Sequence, residues 1–219
     1  MPIIRNYLQL RGTAAEIAAV LRFVQQDAGP GSIDFDMIEP MPPWIFSGEL
    51  SPEAEQRYGP EHCWKQWCIS HWGCARNALF PEKSAGEYDG GDTILFFTED
   101  RDVRELMRKL SLVFKSLRLD YLWADEETGK NVGLISFRDG VATPRYLPDA
   151  YSREAYELAF DAFGTRAENH GLVSDSDTYT YQRKENDDDN NSENPQNYTG
   201  FGQAESDSGD RAGRFVRGS

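Results

Sequence analysis

The chain reads as an α+β domain of the ferredoxin-like plan: an antiparallel sheet with two helices on one face, a Trp-rich insertion and a disordered acidic C-terminal tail. Three observations predict it. Residues 3–11 alternate apolar and polar side chains, the period-two signature of a strand covered on one face. Two segments, starting near Thr13 and Asp102, repeat apolar side chains at i, i+3, i+4 and i+7, the stripe of a packed helix. Short β-rich runs at 93–98, 119–123, 132–137 and 141–147 are separated by turn residues. The order is β-α-insertion-β-β-α-β-β, with room for a further strand and a helix, and right-handed crossovers place the first strand in mid-sheet. The domain is expected to span 1–165, with the insertion at about 42–80, and the tail 166–219.

In the first strand Ile4, Leu8 and Leu10 face one way with Asn6 among them, while Arg5, Tyr7, Gln9 and Arg11 face the other. An amide on the apolar face either bonds a neighbouring backbone or serves a site. Thr13-x-x-Glu16 is a capping box, in which each side chain satisfies a backbone N–H of the first turn. Ile17, Val20, Leu21 and Val24 form the stripe that follows, and Ala28-Gly29-Pro30-Gly31 stops the helix. In Ser32–Met41 the apolar Ile33, Phe35 and Met37 alternate with Asp34 and Asp36, which predicts a short extended segment. Pro40, Pro42 and Pro43 keep it out of a sheet interior. Asp34, Asp36 and Glu39 are either a metal or acid/base group or a solvated strand face. A short helix is expected at Pro52–Tyr58.

Residues 63–78, CWKQWCISHWGCARNA, hold three Trp, one His and every Cys of the chain. If residues 61–70 are helical, Trp64, Trp67 and His71 share a face, and Trp72-Gly73 breaks the helix ahead of a strand or loop at Cys74–Phe80. So much aromatic area must be buried, covering a sheet end or the helix face. Cys63, Cys68, His71 and Cys74 carry zinc-ligating atoms, but Cys63 and Cys68 point to different sides of a helix, which leaves Cys68, His71 and Cys74 as a three-ligand set. Cys68 with His71 is also a conceivable nucleophilic pair, without an evident third group to orient the base. Against both stands the plain reading, cysteines filling gaps around tryptophans.

The stretch 81–92 is turn-rich. Thr93–Thr98 is a buried strand, and Asp102-x-x-Glu105 opens a helix of four turns carrying Val103, Leu106, Met107, Leu110, Val113, Phe114 and Leu117. Leu119–Trp123 and Val132–Phe137 are strands around the turn Asp125–Lys130, where Asp125, Glu126 and Glu127 suggest either a cation site or a solvated hairpin tip. Asp139-Gly140 is a tight hairpin signal leading to Val141–Leu147. Ser152 caps a last helix with Tyr156, Ala159, Phe160 and Phe163 on one side, ended by Gly164. From Val173 the composition is that of a disordered segment, in which Tyr198, Phe201 and Phe215 are either idle or contacts for a partner.

The formal net charge is −14; ten acidic and five basic residues after Leu172 put −5 there, which leaves −9 for the preceding part. No basic patch is evident, and a nucleic-acid binder normally carries one. An acidic surface favours basic partners or mimics the charge of a nucleic acid, if it does more than keep the chain soluble. The N-terminus lacks a secretory pattern, no apolar run approaches the about 20 residues of a membrane span, and clustered cysteines make no secreted disulfide framework. A cytoplasmic protein with reduced thiols is expected. Walker, dinucleotide and GxSxG motifs are absent.

A family resemblance enters with Asn6-x-Leu8-x-Leu10-x-Gly12, then Phe35-Asp36-x-Ile38-x-Pro40-Met41-Pro42, then Trp67-Cys68-Ile69-x-x-Trp72-Gly73 with Asn77-Ala78, and later Phe97 and Thr98 before a helix. Together these resemble the Api92-like proteins with a ferredoxin-like domain, also called YubB ferredoxin-like, of plasmids, phages and other mobile elements. The resemblance covers roughly residues 1–140. It departs at Cys74-Ala75-Arg76, where that family commonly has Thr-Lys-Trp, and at Glu99-Asp100-Arg101-Asp102, where it commonly has Trp-x-Pro-Pro. It implies a fold and a mobile-element origin but no settled activity.

The expectation is a non-enzymatic binding protein without a cofactor. Its partner would be a host protein, in one version a basic nucleic-acid-binding defence complex inhibited through the acidic surface. Asp34, Asp36, Glu39, Trp72, Asn77, Glu99, Asp100, Asp125, Glu126 and Glu127 are the partner-binding candidates. The alternatives are a zinc- or Cys/His-dependent protein at Cys68, His71 and Cys74, or an RNA- or single-stranded-DNA-binding module using Tyr7, Tyr121 and Trp123 on an open sheet face. The charge opposes the last, and membrane association is not expected.

Overall fold

A nine-residue strand, β1 (Ile3–Arg11), is the middle of the structure. The structure is a computed structural model that describes residues 2–27, 29–79, 91–175 and 180–183. β1 pairs antiparallel with β2 (Thr93–Glu99) on one side and β3 (Arg118–Asp125) on the other. β4 (Val132–Arg138) and β5 (Val141–Tyr146) complete an antiparallel sheet of order β2-β1-β3-β4-β5. The strand expected ahead of β2 is reduced, among the described residues, to one β-bridge: Leu79 and Phe97 exchange backbone hydrogen bonds of 2.9 and 2.8 Å. The residues that follow Leu79 lie outside the described ones.

The helices are α1 (Ala14–Val24), α2 (Phe35–Ile38), α3 (Pro52–Tyr58), α4 (Trp64–His71), α5 (Arg104–Val113) and α6 (Arg153–Phe163). Local chemistry starts α1, α3 and α6 as expected. Thr13 and Glu16 form the capping box of α1, Ser51 and Ser152 cap α3 and α6, and Gly164 ends α6 in the left-handed region. Asp139 and Gly140, at φ 47° and 74°, make the β4–β5 hairpin turn, whose twist matches that of the strands.

α1 and α5 cover one face. Val20, Leu21 and Val24 meet Leu106, Met107 and Leu110 over Ile4, Leu8, Phe96 and Leu119. Asn6 is the polar member of this face and is fully satisfied. Its Nδ2 donates to Ile4 O and to Thr98 Oγ1, each at 3.0 Å, and its Oδ1 accepts from the Tyr121 hydroxyl at 2.6 Å. It is a tie between three strands, as a buried amide must be.

α6 covers the opposite face with Ala155, Leu158, Ala159 and Ala162 over Leu122, Ala124 and Val132. β3 is therefore buried on both sides, and the open aromatic face expected for nucleic acid is closed. Tyr121 and Trp123 are 0% and 1% exposed, and Tyr7 donates its hydroxyl to Ala162 O at 2.7 Å beneath α6.

Three expectations change. Ser32–Met41 is not extended, because the Asp34 side chain accepts the Asp36 N–H and starts the single turn of α2. α5 ends at Val113, which is 52% exposed, since the chain must turn at 114–117 to enter β3, and Phe114 packs edge-on against Phe23 at 5.4 Å. The expected disordered segment from residue 166 contains a 3₁₀ turn, Ala167–His170, and a hairpin of β6 (Leu172–Asp175) and β7 (Thr180–Arg183). These residues are ordered because α6 has an outer aromatic stripe to cover: His170 stacks on Phe160 at 5.5 Å, and Tyr181 meets Phe160 and Tyr156 at 5.3 and 5.5 Å. The expectations for 184–219, with Tyr198, Phe201 and Phe215, and for most of 81–92 lie outside the described residues.

Candidate functional site

The Trp-rich insertion joins α2 and α4 to the helix layer. Asp34 Oδ1 accepts from Asn77 Nδ2 at 2.6 Å, while Asn77 Oδ1 takes the N–H groups of Phe35 and Ala78, both at 2.9 Å. Asp36 Oδ1 accepts the Met41 N–H at 2.7 Å. These short side chains satisfy backbone donors that Pro40, Pro42 and Pro43 prevent from joining regular structure.

In α4 the rings of Trp67 and His71 stack, 4.4 Å apart and 12° from parallel. Trp72 stands edge-on to Trp67 at 5.6 Å and to Phe35 at 5.9 Å, and its Nε1 donates to Glu39 O at 2.9 Å. Gly73, at φ +98°, lets the chain leave the helix close to Asp102 O, which a Cβ there would meet at 3.1 Å. The Glu39 carboxylate faces His71 Nδ1 at 2.7 Å and the Lys109 ammonium, and Lys109 also donates to His71 O at 2.9 Å. A carboxylate only accepts, so Nδ1 carries the proton.

This arrangement dissolves the ligand set Cys68, His71 and Cys74. Cys74 Sγ donates to Arg76 O at 3.1 Å. Burial pushes the Cys68 thiol up to about 11 and the Cys74 thiol to about 12, so both stay protonated at neutral pH. Among the described residues no three His, Cys, Asp or Glu side chains gather as a metal ion requires.

The remaining candidates sit elsewhere. Ile3 stands opposite Glu99 and Ile4 opposite Asp125, so Glu99, Asp100, Asp125, Glu126 and Glu127 share one end of the sheet. Asp125 is not a solvated tip: it is 4% exposed, accepts the Glu127 N–H at 2.8 Å, and burial raises its carboxyl above the usual range. Glu127 binds Lys130 at 2.6 Å and accepts from the Tyr151 hydroxyl at 2.6 Å, contacts that lower its carboxyl. Glu99 pairs with Arg76 at 3.6 Å. Asp34 with Asn77 and Glu39 with Trp72 thus form an internal latch, paired across 43 and 33 positions, whereas Asp36 is exposed and bonds only its own turn.

A different side chain of the insertion faces solvent. Trp44 is 66% exposed and touches the edge of the His62 ring at 5.7 Å. Its loop is held firmly: Phe46 N donates to His62 O at 2.8 Å, Trp64 Nε1 donates to Gly48 O at 3.2 Å, and Phe46 stacks on Tyr58 at 4.4 Å. Met37 and Tyr58 are also exposed, as are Glu49, Glu53, Glu55 and Glu61. From Met37 to Cys63 there are five acidic residues and one basic one.

Residues 80–166 match the family model described as a ferredoxin-like domain in Api92-like protein. This segment is similar to that family's domain. Its described part holds β2, α5, β3, β4, β5 and α6. The Pro-Met-Pro and Trp-Gly elements that carry the resemblance at the sequence level precede the Api92-like segment, and so does β1, although β1 lies between two of its strands. No curated protein and no solved structure matches the chain. Among the described residues no helix is long and apolar enough to cross a membrane.

Proposed function

We propose that this Api92-like protein is a non-catalytic binding protein that docks a basic protein through its insertion. Trp44 is the anchor, and Glu49, Glu53, Glu55 and Glu61 are the charged rim. The observation that carries this reading is Trp44, a large side chain 66% exposed on a loop that is otherwise well bonded. Tryptophan is among the residues that most often dominate an interface, and acidic rims steer basic partners and suppress others. The protonated thiols and the carboxylates tied into the latch support a binding role over a catalytic one. A host nucleic-acid-binding complex, met in the cytoplasm by an accessory protein of a mobile element, is the partner class that fits this charge.

The test is affinity capture from host lysate with the full chain, with Trp44→Ala and with Glu53→Gln/Glu55→Gln/Glu61→Gln, each at low and high salt. A basic protein is retained by the native chain, released by salt, and held about 30-fold more weakly by Trp44→Ala, as loss of an anchor worth about 2 kcal/mol requires. A partner held equally well by Trp44→Ala, or no retained partner at either salt, overturns the reading.

A further inference from the structure

The sheet face under α6 is covered only in part. α6 packs over Leu122, Ala124 and Val132; at the other end of the same face the strands present polar side chains. Arg11 from β1, Arg118 from β3 and Arg145 from β5 meet there around Asp120 and Ser136. Arg118 donates to Asp120 Oδ2 at 3.0 Å, and Arg11 Nε lies 3.5 Å from the same oxygen without a hydrogen bond. Ser136 donates to Asp120 Oδ1 at 2.5 Å and accepts from Arg145 Nε at 3.0 Å.

Two guanidinium groups therefore share one carboxylate, and the third, Arg145, is linked to it through Ser136. Asp92 accepts from Nε2 of Gln9 at 3.4 Å, while Oε1 of the same amide accepts from Arg11 at 2.8 Å, so Gln9 stands between them. A surplus of about two positive charges on a chain of net charge −14 is the reverse of its general surface. Asp120 is 7% exposed in its side chain, whereas Arg11 and Arg118 are 32% and 39% exposed, so the carboxylate lies beneath the cations and the guanidinium forks face outward. The Nε groups of Arg11 and Arg118 are buried without a hydrogen-bond partner among the described residues, so any ligand meets the outer ends of the two forks.

We propose that Arg11, Arg118 and Arg145 form a binding site for a phosphate group of the dianionic, phosphomonoester class. A phosphate dianion matches the charge surplus, and its oxygens suit planar forks that donate two hydrogen bonds each. Asp120 and Ser136 orient the forks; Asp120 repels the ligand but is shielded, since both of its oxygens are engaged. The inference is independent of the insertion surface.

Calorimetric titration of the full chain tests it, with inorganic phosphate and with a single-stranded oligodeoxynucleotide, at constant ionic strength. Phosphate binds saturably at millimolar concentration or below, and Arg118→Gln and Arg145→Gln each weaken it about tenfold, as loss of one charge-assisted pair predicts. Arg145 lies exposed on an edge strand, so its variant keeps the fold even where Arg118→Gln does not. Arg22→Gln, on α1, leaves binding unchanged. The absence of saturation by about 10 mM phosphate, equal weakening by Arg22→Gln, or binding of the oligonucleotide alone each overturns the proposal.

Discussion

Glu39 and His71 close a joint between helices: Oε1 of the carboxylate lies 2.7 Å from Nδ1 of the imidazole, and the other oxygen takes the Lys109 ammonium. α2, α4 and α5 meet at this one side chain. The joint lies beside Trp67 and Trp72, so it holds in place the aromatic plug that completes the helix layer.

Glu39→Ala therefore destabilises the protein. It removes charge-assisted bonds to two groups of which Lys109 is largely covered, and the cost is about 2 kcal/mol, or about 4–8 °C in Tm for a protein of this size. Glu39→Gln keeps an acceptor and loses about half as much. Thermal melts of the two variants check this, and an unchanged Tm for Glu39→Ala would count against the joint.

The thiols should be inert in the folded protein. With Cys68 at about 11 and Cys74 at about 12, the thiolate fraction at pH 8 is about one in a thousand or less. Ellman's reagent is expected to react slowly with native protein and to count three thiols once it is denatured. Chelator leaves Tm unchanged. A fast native thiol, or a fall in Tm on chelation, would restore the Cys/His reading.

The Api92-like segment is not expected to fold by itself. β1 lies outside residues 80–166, yet it hydrogen-bonds β2 and β3 on its two sides. Without it two long strand edges and the apolar face beneath α5 are uncovered. Fragment 80–166 should lack a cooperative melt, whereas a chain ending after Arg183 should keep it. A fragment melting near the full chain would show that β1 is dispensable.

Glu16 gives acid sensitivity with a definite sign. The Ser116 hydroxyl, then the Thr13 N–H and hydroxyl, hold its carboxyl down to about 2 against 4.5 when unconstrained. The folded value lies below the unfolded one, so its contribution is complete above about 4.5 and disappears as pH falls toward 2. Stability lost in Glu16→Gln should therefore be visible at pH 7 and shrink at pH 3, less so in high salt because the group is exposed. Denaturant melts at the two pH values measure it; an equal loss at both is the contrary result.

Much of the fold was legible because its signals are local. The alternation of residues 3–11, the box at Thr13 and Glu16, the Ser51–Pro52 start of α3, the break at Trp72-Gly73 and the turn at Asp139-Gly140 each act within a few residues, and all appear where expected. Even the central place of β1 follows from crossover handedness. Where local pattern was ambiguous it misled. Asp34-x-Asp36 alternation suits a strand or a capped turn equally, and the deciding partner, Asn77, is 43 positions away.

The candidate site was less legible for the same reason. Asp34, Glu39, Trp72 and Asn77 were singled out, but as contacts for a partner; contact between distant segments turned them into a latch. Trp44 passed unnoticed because exposure is not written in a residue's type.

By itself, then, the sequence determined most strand, helix and turn positions up to α6, the ferredoxin-like order, and an acidic chain with its cysteines among tryptophans. Only the tertiary structure decided that α6 covers one end of the second sheet face, that Glu39 joins three helices, and that Arg11, Arg118 and Arg145 gather around Asp120 and Ser136 at the other end. The physical reason is distance along the chain. Capping and alternation are satisfied by neighbours, whereas burial and charge surplus depend on which strands lie side by side.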